Sequence, residues 1–195
     1  MKPASWLLAI ALLGPIQSLD VAIEARIQET RRPWLERPMH ELTEIGRPVW
    51  VLSGLLAVAL LDGGTGVATV RGCVAVLIPV NLMVEGLKWG VGRTRPDGDT
   101  RRANSSFPSS HAANAMALAW MLSRRWPRGR LAFWTLALLI TWSRMYLNRH
   151  YPTDCLASVV IGIGCAILIC SRWPRLDPAR ARAIVKSAER ASESP

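Results

Sequence analysis

The chain has 195 residues, half of them hydrophobic and only 19% charged, with nine tryptophans and a formal net charge of +10. That length suits one domain of ordinary size. Apolar runs separated by basic segments fit a membrane protein with basic loops, and they exclude the aromatic-interleaved groove of a nucleic-acid binder. Cys73, Cys155, Cys165 and Cys170 fall mostly inside apolar stretches, with a spacing that matches neither a disulfide framework nor a zinc site. They read as buried, inert thiols.

In chain order, Lys2 precedes an uncharged stretch over residues 3–19. The QSLD that follows lacks a small-x-small cleavage site, so the stretch reads as a retained first span and not as a signal peptide. Asp20 to Arg47 is polar and mixed in charge, interrupted by Pro33 and Pro38. Its VAIEARIQ segment, residues 21–28, suits either a short amphipathic helix on the membrane surface or a solvated connector. Val49 to Leu61 is the second span, closed by Asp62-Gly63-Gly64, and Thr65 to Met83 is the third. Arg71 interrupts that third run, its long side chain reaching for the interface. Lys88 to Phe107 is polar and rich in glycine and arginine, and a fourth span begins near Ser109 and ends at Met121. A basic turn, Ser123 to Arg130, leads to a fifth run at Leu131 to Ser143 and a sixth at Cys155 to Cys170. The tail from Ser171 is charged and Ala-rich, with a helix-compatible middle and a frayed end.

The expected fold class is therefore all-α. A polytopic membrane bundle of six transmembrane helices occupies residues 1–172, followed by a basic cytoplasmic tail over residues 173–195. None of the runs is a clean block of about twenty apolar residues, which leaves a soluble helical bundle as the competing reading. Charge decides between them. A six-span count puts Lys2, the turn of Arg124, Arg125, Arg128 and Arg130, and the Arg172-to-Arg190 tail on one side, which is then cytoplasmic together with both termini. The same count brings Lys88–His111 and Arg144–Asp154 together on the opposite face.

Three polar clusters meet there. Ser143 to Asp154, SRMYLNRHYPTD, carries His150 and, four residues on, Asp154. With a helix starting near Pro152, the carboxylate reaches one imidazole nitrogen and leaves the other to attack. Lys88, Arg95 and Arg144 add fixed positive charge. In FPSSH, Phe107 to His111, the backbone donors of Ser109 and Ser110 open a helix where a phosphate is welcome. Alone, each cluster has an ordinary account: Lys88 and Arg95 as interfacial anchors, Pro108 to Ser110 as helix-start residues, and His111 and His150 as satisfied interfacial histidines. On one face together they read as a site.

Lys88-x6-Arg95-Pro96, then Pro108-Ser109-Ser110-His111, then Ser143-Arg144-x5-His150-x3-Asp154 resemble, in order and spacing, the three signatures of the type 2 phosphatidic acid phosphatase (PAP2) superfamily. The resemblance implies a helical membrane phosphatase or diphosphatase acting on lipid phosphates through a phosphohistidine, with no metal and no other cofactor. His150 is then the nucleophile, Asp154 fixes its tautomer and His111 protonates the leaving group. Lys88, Arg95, Arg144 and the Ser109 and Ser110 backbone hold the phosphate. Two departures stand out: Ser110 where the family commonly has glycine, and Arg149 where it often has a small residue. Arg149 either contacts a second phosphate or points to solvent or lipid headgroups. The implied partners are the bilayer and its lipid phosphates, and the implied place is a bacterial inner membrane with the site on the periplasmic face. A diphosphate offers more charge to these cations, so the expected substrate is polyprenyl (undecaprenyl) diphosphate. Phosphatidylglycerophosphate, phosphatidate and lipid A phosphates are the alternatives, and a non-hydrolytic lipid-phosphate binder or transporter is the reading from another class.

Overall fold

The structure is a computed structural model that describes residues 3–180 together with 183, 184 and 187, with side chains from residue 15 onward. The described chain is helical: α1 (Pro3–Glu29), α2 (Pro33–Ile45), α3 (Pro48–Leu61), α4 (Gly63–Val91), α5 (Ser110–Arg125), α6 (Arg130–Tyr146) and α7 (Pro152–Arg172). Proline opens α2, α3 and α7, where its missing N–H has no helical acceptor to lose and its ring presets φ. Gly92 ends α4 in the left-handed region, φ 62°, where a side chain would be strained. Residues 21–28 are the continuation of α1 and not a separate surface helix.

The expectation of six membrane spans is not met. Among the described residues two helices, α4 and α7, are long and apolar enough to cross a bilayer, and a third crossing is available there if α2 and α3, bent by 58°, act as one broken span. The reason is length and polarity. With 16 and 17 residues, α5 and α6 extend only about 25 Å at 1.5 Å per residue, short of a hydrocarbon core of about 30 Å. They also carry charge: α5 ends in Arg124-Arg125, and α6 begins at Arg130 and holds Arg144.

Packing centres on α5, which lies against α4, α6 and α7. Ala113, Ala117 and Met121 of α5 meet Cys73, Val76, Val80 and Val84 of α4 and Cys165 and Ala166 of α7 in one buried cluster. Met116 and Ala119 meet Ala137 of α6 in a second. Small residues let these backbones approach closely, as at helix interfaces within membranes. Large apolar side chains such as Leu56, Leu82, Leu138 and Val160 point outward, as suits a lipid-facing surface. Cys73, Cys155 and Cys165 are buried, Cys170 is half-buried, and all four are free thiols.

Away from the polar site, Arg125 pairs with Asp62, and Arg124 Nε donates to Asp177 Oδ1 at 2.9 Å. Asp177 is buried, and a 3₁₀ turn at Pro174–Leu176 packs on α4. The chain therefore stays attached to the helical body beyond Arg172. The predicted helix-compatible middle of the tail falls largely, and its frayed end entirely, outside the described residues.

Gly162 marks the tightest approach of α7 to α5, since a Cβ there would run into the Ala113 carbonyl, whereas one at Gly164 would meet open space. Gly162→Ala should destabilise the fold by about 1–3 kcal/mol through overpacking. Gly164→Ala should be neutral or slightly stabilising, because alanine is the better helix former. Thermal unfolding of both variants in detergent checks the pair; equal melting temperatures would contradict the packing.

Candidate active site

The C-terminal ends of α4 and α6 and the N-terminal ends of α5 and α7 come together, with α2 and the 92–109 loop beside them. They enclose a polar cavity of about 450 Å³. Lys88, Arg95, Ser110, His111, Arg144, Arg149 and His150 line it, so the sequence signatures do converge. All three histidines of the chain are there, the third being His40 on α2. Ser109 and Asp154 are not on its wall; both are fully buried behind it.

The turn after α6 places the proposed nucleophile. Asn148 adopts a left-handed φ of 58°, which asparagine tolerates better than most residues. The chain then folds back so that the Arg149 and His150 amides both donate to the Arg144 carbonyl, at 2.9 and 3.3 Å. This is the structural content of the five-residue gap: it returns His150 to the cavity that Arg144 already lines. His150 is buried, and its Nδ1 lies 2.6 Å from the Ser106 carbonyl. A carbonyl only accepts, so Nδ1 carries the proton and Nε2 keeps its lone pair toward the cavity.

Asp154 was expected to orient His150 directly, but its Oδ2 is 4.0 Å from Nδ1. The i,i+4 spacing does not place them on one helical face, because His150 precedes α7. Asp154 instead accepts from Arg93 Nη1 at 2.6 Å, from the Tyr151 amide at 2.8 Å and from the Ser106 hydroxyl. It thus holds the residue whose carbonyl holds the imidazole. Arg93 continues the chain of contacts, donating from Nη2 to Asp20 at 2.6 Å and from Nη1 to the Thr153 hydroxyl at 2.9 Å, with its guanidinium 4.2 Å from the Tyr151 ring centroid. Asp20, at the polar part of α1, also accepts from the Thr153 amide at 3.0 Å.

The cations differ in what they already hold. Lys88 Nζ contacts Glu85 Oε1 and Ser110 Oγ, both at 2.7 Å. Arg149 pairs with Asp97 at 2.5 Å on the exposed side. Arg95 donates from Nε to the Asn104 carbonyl at 2.6 Å, and Arg144 from Nη1 to the Thr43 hydroxyl at 2.5 Å, while the buried Arg144 Nε has no partner. The Ser109 amide is taken by the Ser158 hydroxyl at 2.8 Å, so it offers the cavity no donor; the Ser110 hydroxyl faces it.

Sequence reasoning did not single out Arg93, Ser106, Asp20, Thr43 or the α2 residues His40, Glu44 and Arg47 as parts of the site. One signal was available: Asp20 closes an apolar stretch, and a buried carboxylate there demands a cation. Burial, then the charges of Arg144 and Arg95, push the His150 imidazole well below its ordinary pKa, with the Ser106 carbonyl partly opposing. Burial, then Arg144, Arg47, Lys88 and Arg95, push His111 down as well. Both shifts favour the neutral imidazole.

A helical body with two neutral imidazoles in a cationic cavity defines the class: a membrane-associated phosphate-ester hydrolase site. The PAP2 superfamily pattern matches residues 68–177, more than half of the chain, and the protein belongs to that superfamily of membrane lipid phosphatases and diphosphatases. The chain is 27% identical over 187 residues to phosphatidylglycerophosphatase B of Bacillus subtilis, covering 83% of this chain and 90% of that one. The crystal structure of a transmembrane PAP2-type phosphatidylglycerolphosphate phosphatase from Bacillus subtilis superposes with a TM-score of 0.68 at 25% identity, covering 87% of this chain and 94% of that chain. Aquifex aeolicus LpxE shares the fold, with a TM-score of 0.68 at 22% identity over 77% of this chain and 93% of its own.

With histidines only at positions 40, 111 and 150, the charge state is directly observable. In the ¹³C-histidine-labelled protein, the resonances removed by His150→Ala and His111→Ala should not titrate as pH falls through about 6.5, the ordinary imidazole value. Because the shift is downward, the neutral form persists to lower pH. Titration at or above 6.5 would contradict the electrostatics of the cavity.

Proposed function

We propose that the protein removes phosphate from a membrane glycerophospholipid phosphate of the phosphatidylglycerophosphate kind, through a phosphohistidine at His150. The observation that carries this reading is the tie of His150 Nδ1 to Ser106, which leaves Nε2 in a cavity shared with Arg95, Arg144 and His111. Nε2 attacks phosphorus and the bond from phosphorus to the lipid oxygen breaks. A phosphate dianion raises the pKa that burial and the surrounding cations had lowered, so His111 takes up a proton and donates it to the departing oxygen. Water then attacks the phosphohistidine with His111 accepting its proton, the P–N bond breaks and inorganic phosphate leaves. Arg95 and Arg144 hold the non-bridging oxygens, with charge fixed in place before the reaction. Each of these roles is filled by a side chain or backbone group of this chain, so no step calls for a metal.

Two features favour a glycerophospholipid over the polyprenyl diphosphate expected from the sequence. The similarity to phosphatidylglycerophosphatase B extends over nearly the whole of that protein. Two apolar cavities, of about 280 and 330 Å³, flank α3 and meet the polar cavity at Gly46, which gives two acyl chains separate places beside one headgroup. The test is ³²P trapping. Wild type quenched during turnover of labelled lipid should carry acid-labile phosphate, with the rate unchanged by EDTA. His150→Ala should carry none and lose at least about a thousandfold in kcat, as loss of a covalent nucleophile implies. Full activity in His150→Ala would end this reading.

In this reading the site faces the periplasm, which Arg124, Arg125, Arg128 and Arg172 at the other end of the helical body support. Thr100→Cys and Arg128→Cys lie on exposed residues at the two ends. An impermeant maleimide should label the first and spare the second in intact cells; the reverse pattern would invert the orientation.

A further inference from the structure

We propose that Glu44, Glu85 and Asp97 make the cavity selective for a lone phosphomonoester over a diphosphate, an inference that rests on the lipid-phosphatase reading above. Five cationic side chains line the cavity: Arg47, Lys88, Arg95, Arg144 and Arg149. Three of them already have a carboxylate. Arg47 is 3.0 Å from Glu44, Lys88 is 2.7 Å from Glu85 and Arg149 is 2.5 Å from Asp97. The two with no such partner among the described residues, Arg95 and Arg144, are each only 8% exposed. One of them keeps a buried Nε with no hydrogen-bond acceptor.

A phosphomonoester carries about −1.5 to −2 charge at neutral pH. Two uncompensated guanidiniums balance one such group and can bind it in paired hydrogen bonds. A diphosphate adds a second anionic group on the leaving side. There the remaining cations are spoken for, and the Glu85 side chain is far more exposed than the Lys88 it pairs with, at 51% against 10%. Glu44, at 37%, lies beside an Arg47 that is 61% exposed. The charge of the two glutamates repels that second phosphate across a medium of lower dielectric than water. Discrimination then comes from a repulsive element built beside the attractive one. Arg149 is the cation best placed in the sequence to greet a second phosphate, and it is the one Asp97 neutralises.

The experiment compares dioleoyl phosphatidate with dioleoylglycerol pyrophosphate in matched mixed micelles, so that the tails are identical and only the phosphate number differs. Wild type should show the higher kcat/KM on the monophosphate. Glu85→Gln and Asp97→Asn should each shift the diphosphate-to-monophosphate ratio by about tenfold toward the diphosphate, the scale of removing one nearby like charge. Glu41→Gln, on an exposed residue of α2 outside the cavity, controls for overall charge and should leave the ratio alone. A wild type that prefers the diphosphate, or a ratio unmoved in both Glu85→Gln and Asp97→Asn, would overturn the inference. Release of phosphate from neither of these lipids, nor from phosphatidylglycerophosphate assayed alongside, would instead overturn the lipid-phosphatase reading itself.

Discussion

One guanidinium joins the parts of the site that are farthest apart in sequence. Arg93 donates to Asp20 from one nitrogen and to Asp154 from another, and both carboxylates are essentially without solvent contact. Two buried carboxylates need a cation with two directed donors, which arginine's planar fork supplies and lysine's point charge does not. Taking such a partner away leaves buried charge uncompensated, a loss of about 3–5 kcal/mol where it has been measured. The contact is also a line of mechanical support. Asp20 fixes Arg93, Arg93 and the Tyr151 amide fix Asp154, Asp154 holds the Ser106 hydroxyl, and the Ser106 carbonyl sets the His150 tautomer. Through it, α1 belongs to the site as well as to the membrane-associated body.

The cations pose the opposite problem, since like charges must be crowded without being cancelled. Arg95 and Arg144 are held by neutral acceptors, the Asn104 carbonyl and the Thr43 hydroxyl, which orient the side chains and leave their charge intact. That charge, together with burial, keeps His150 unprotonated. In the proposed mechanism, the groups that would bind the phosphate are thus the same ones that favour a free lone pair on His150. At the other end of the body, where no anion has to be received, Arg124 and Arg125 are paired with Asp177 and Asp62. At the polar end Arg47, Arg93 and Arg149 are paired as well, so what sets that end apart is two buried arginines, Arg95 and Arg144, without a carboxylate partner among the described residues.

Spacing within a motif was legible in the sequence; contacts between distant segments were not. The apolar runs from Val49 onward correspond to α3 through α7, yet apolar length alone overstates the number of spans because it ignores the charges that bound α5 and α6. The α2 helix escaped notice because Pro33 and Pro38 read as interruptions, whereas Pro33 occupies the first helical turn, where proline is favoured. Lys88, Arg95, Ser110, His111, Arg144, Arg149 and His150 were found because their separations are fixed by helix ends and one turn. The tie from His150 to Ser106 spans 44 residues and uses a backbone carbonyl, to which no residue type can point. Likewise, nothing local to Thr43 announces a partner 101 residues away, and nothing local to Asp20 says which cation it meets.

The junction of α2 and α3 shows how fold and chemistry constrain each other. Gly46 sits at the 58° bend between them, and a Cβ there would come within 2.9 Å of the His111 ring and 3.3 Å of Ile140. Because there is no side chain, α2 can lie close over the cavity and bring His40, Thr43, Glu44 and Arg47 to its wall. The same residue borders both apolar cavities beside α3. A larger residue would push α2 away from His111, loosen the Thr43 contact to Arg144 and separate the polar cavity from the apolar ones together. The smallest residue thus stands where α2, the His111 ring and the polar and apolar cavities share one wall.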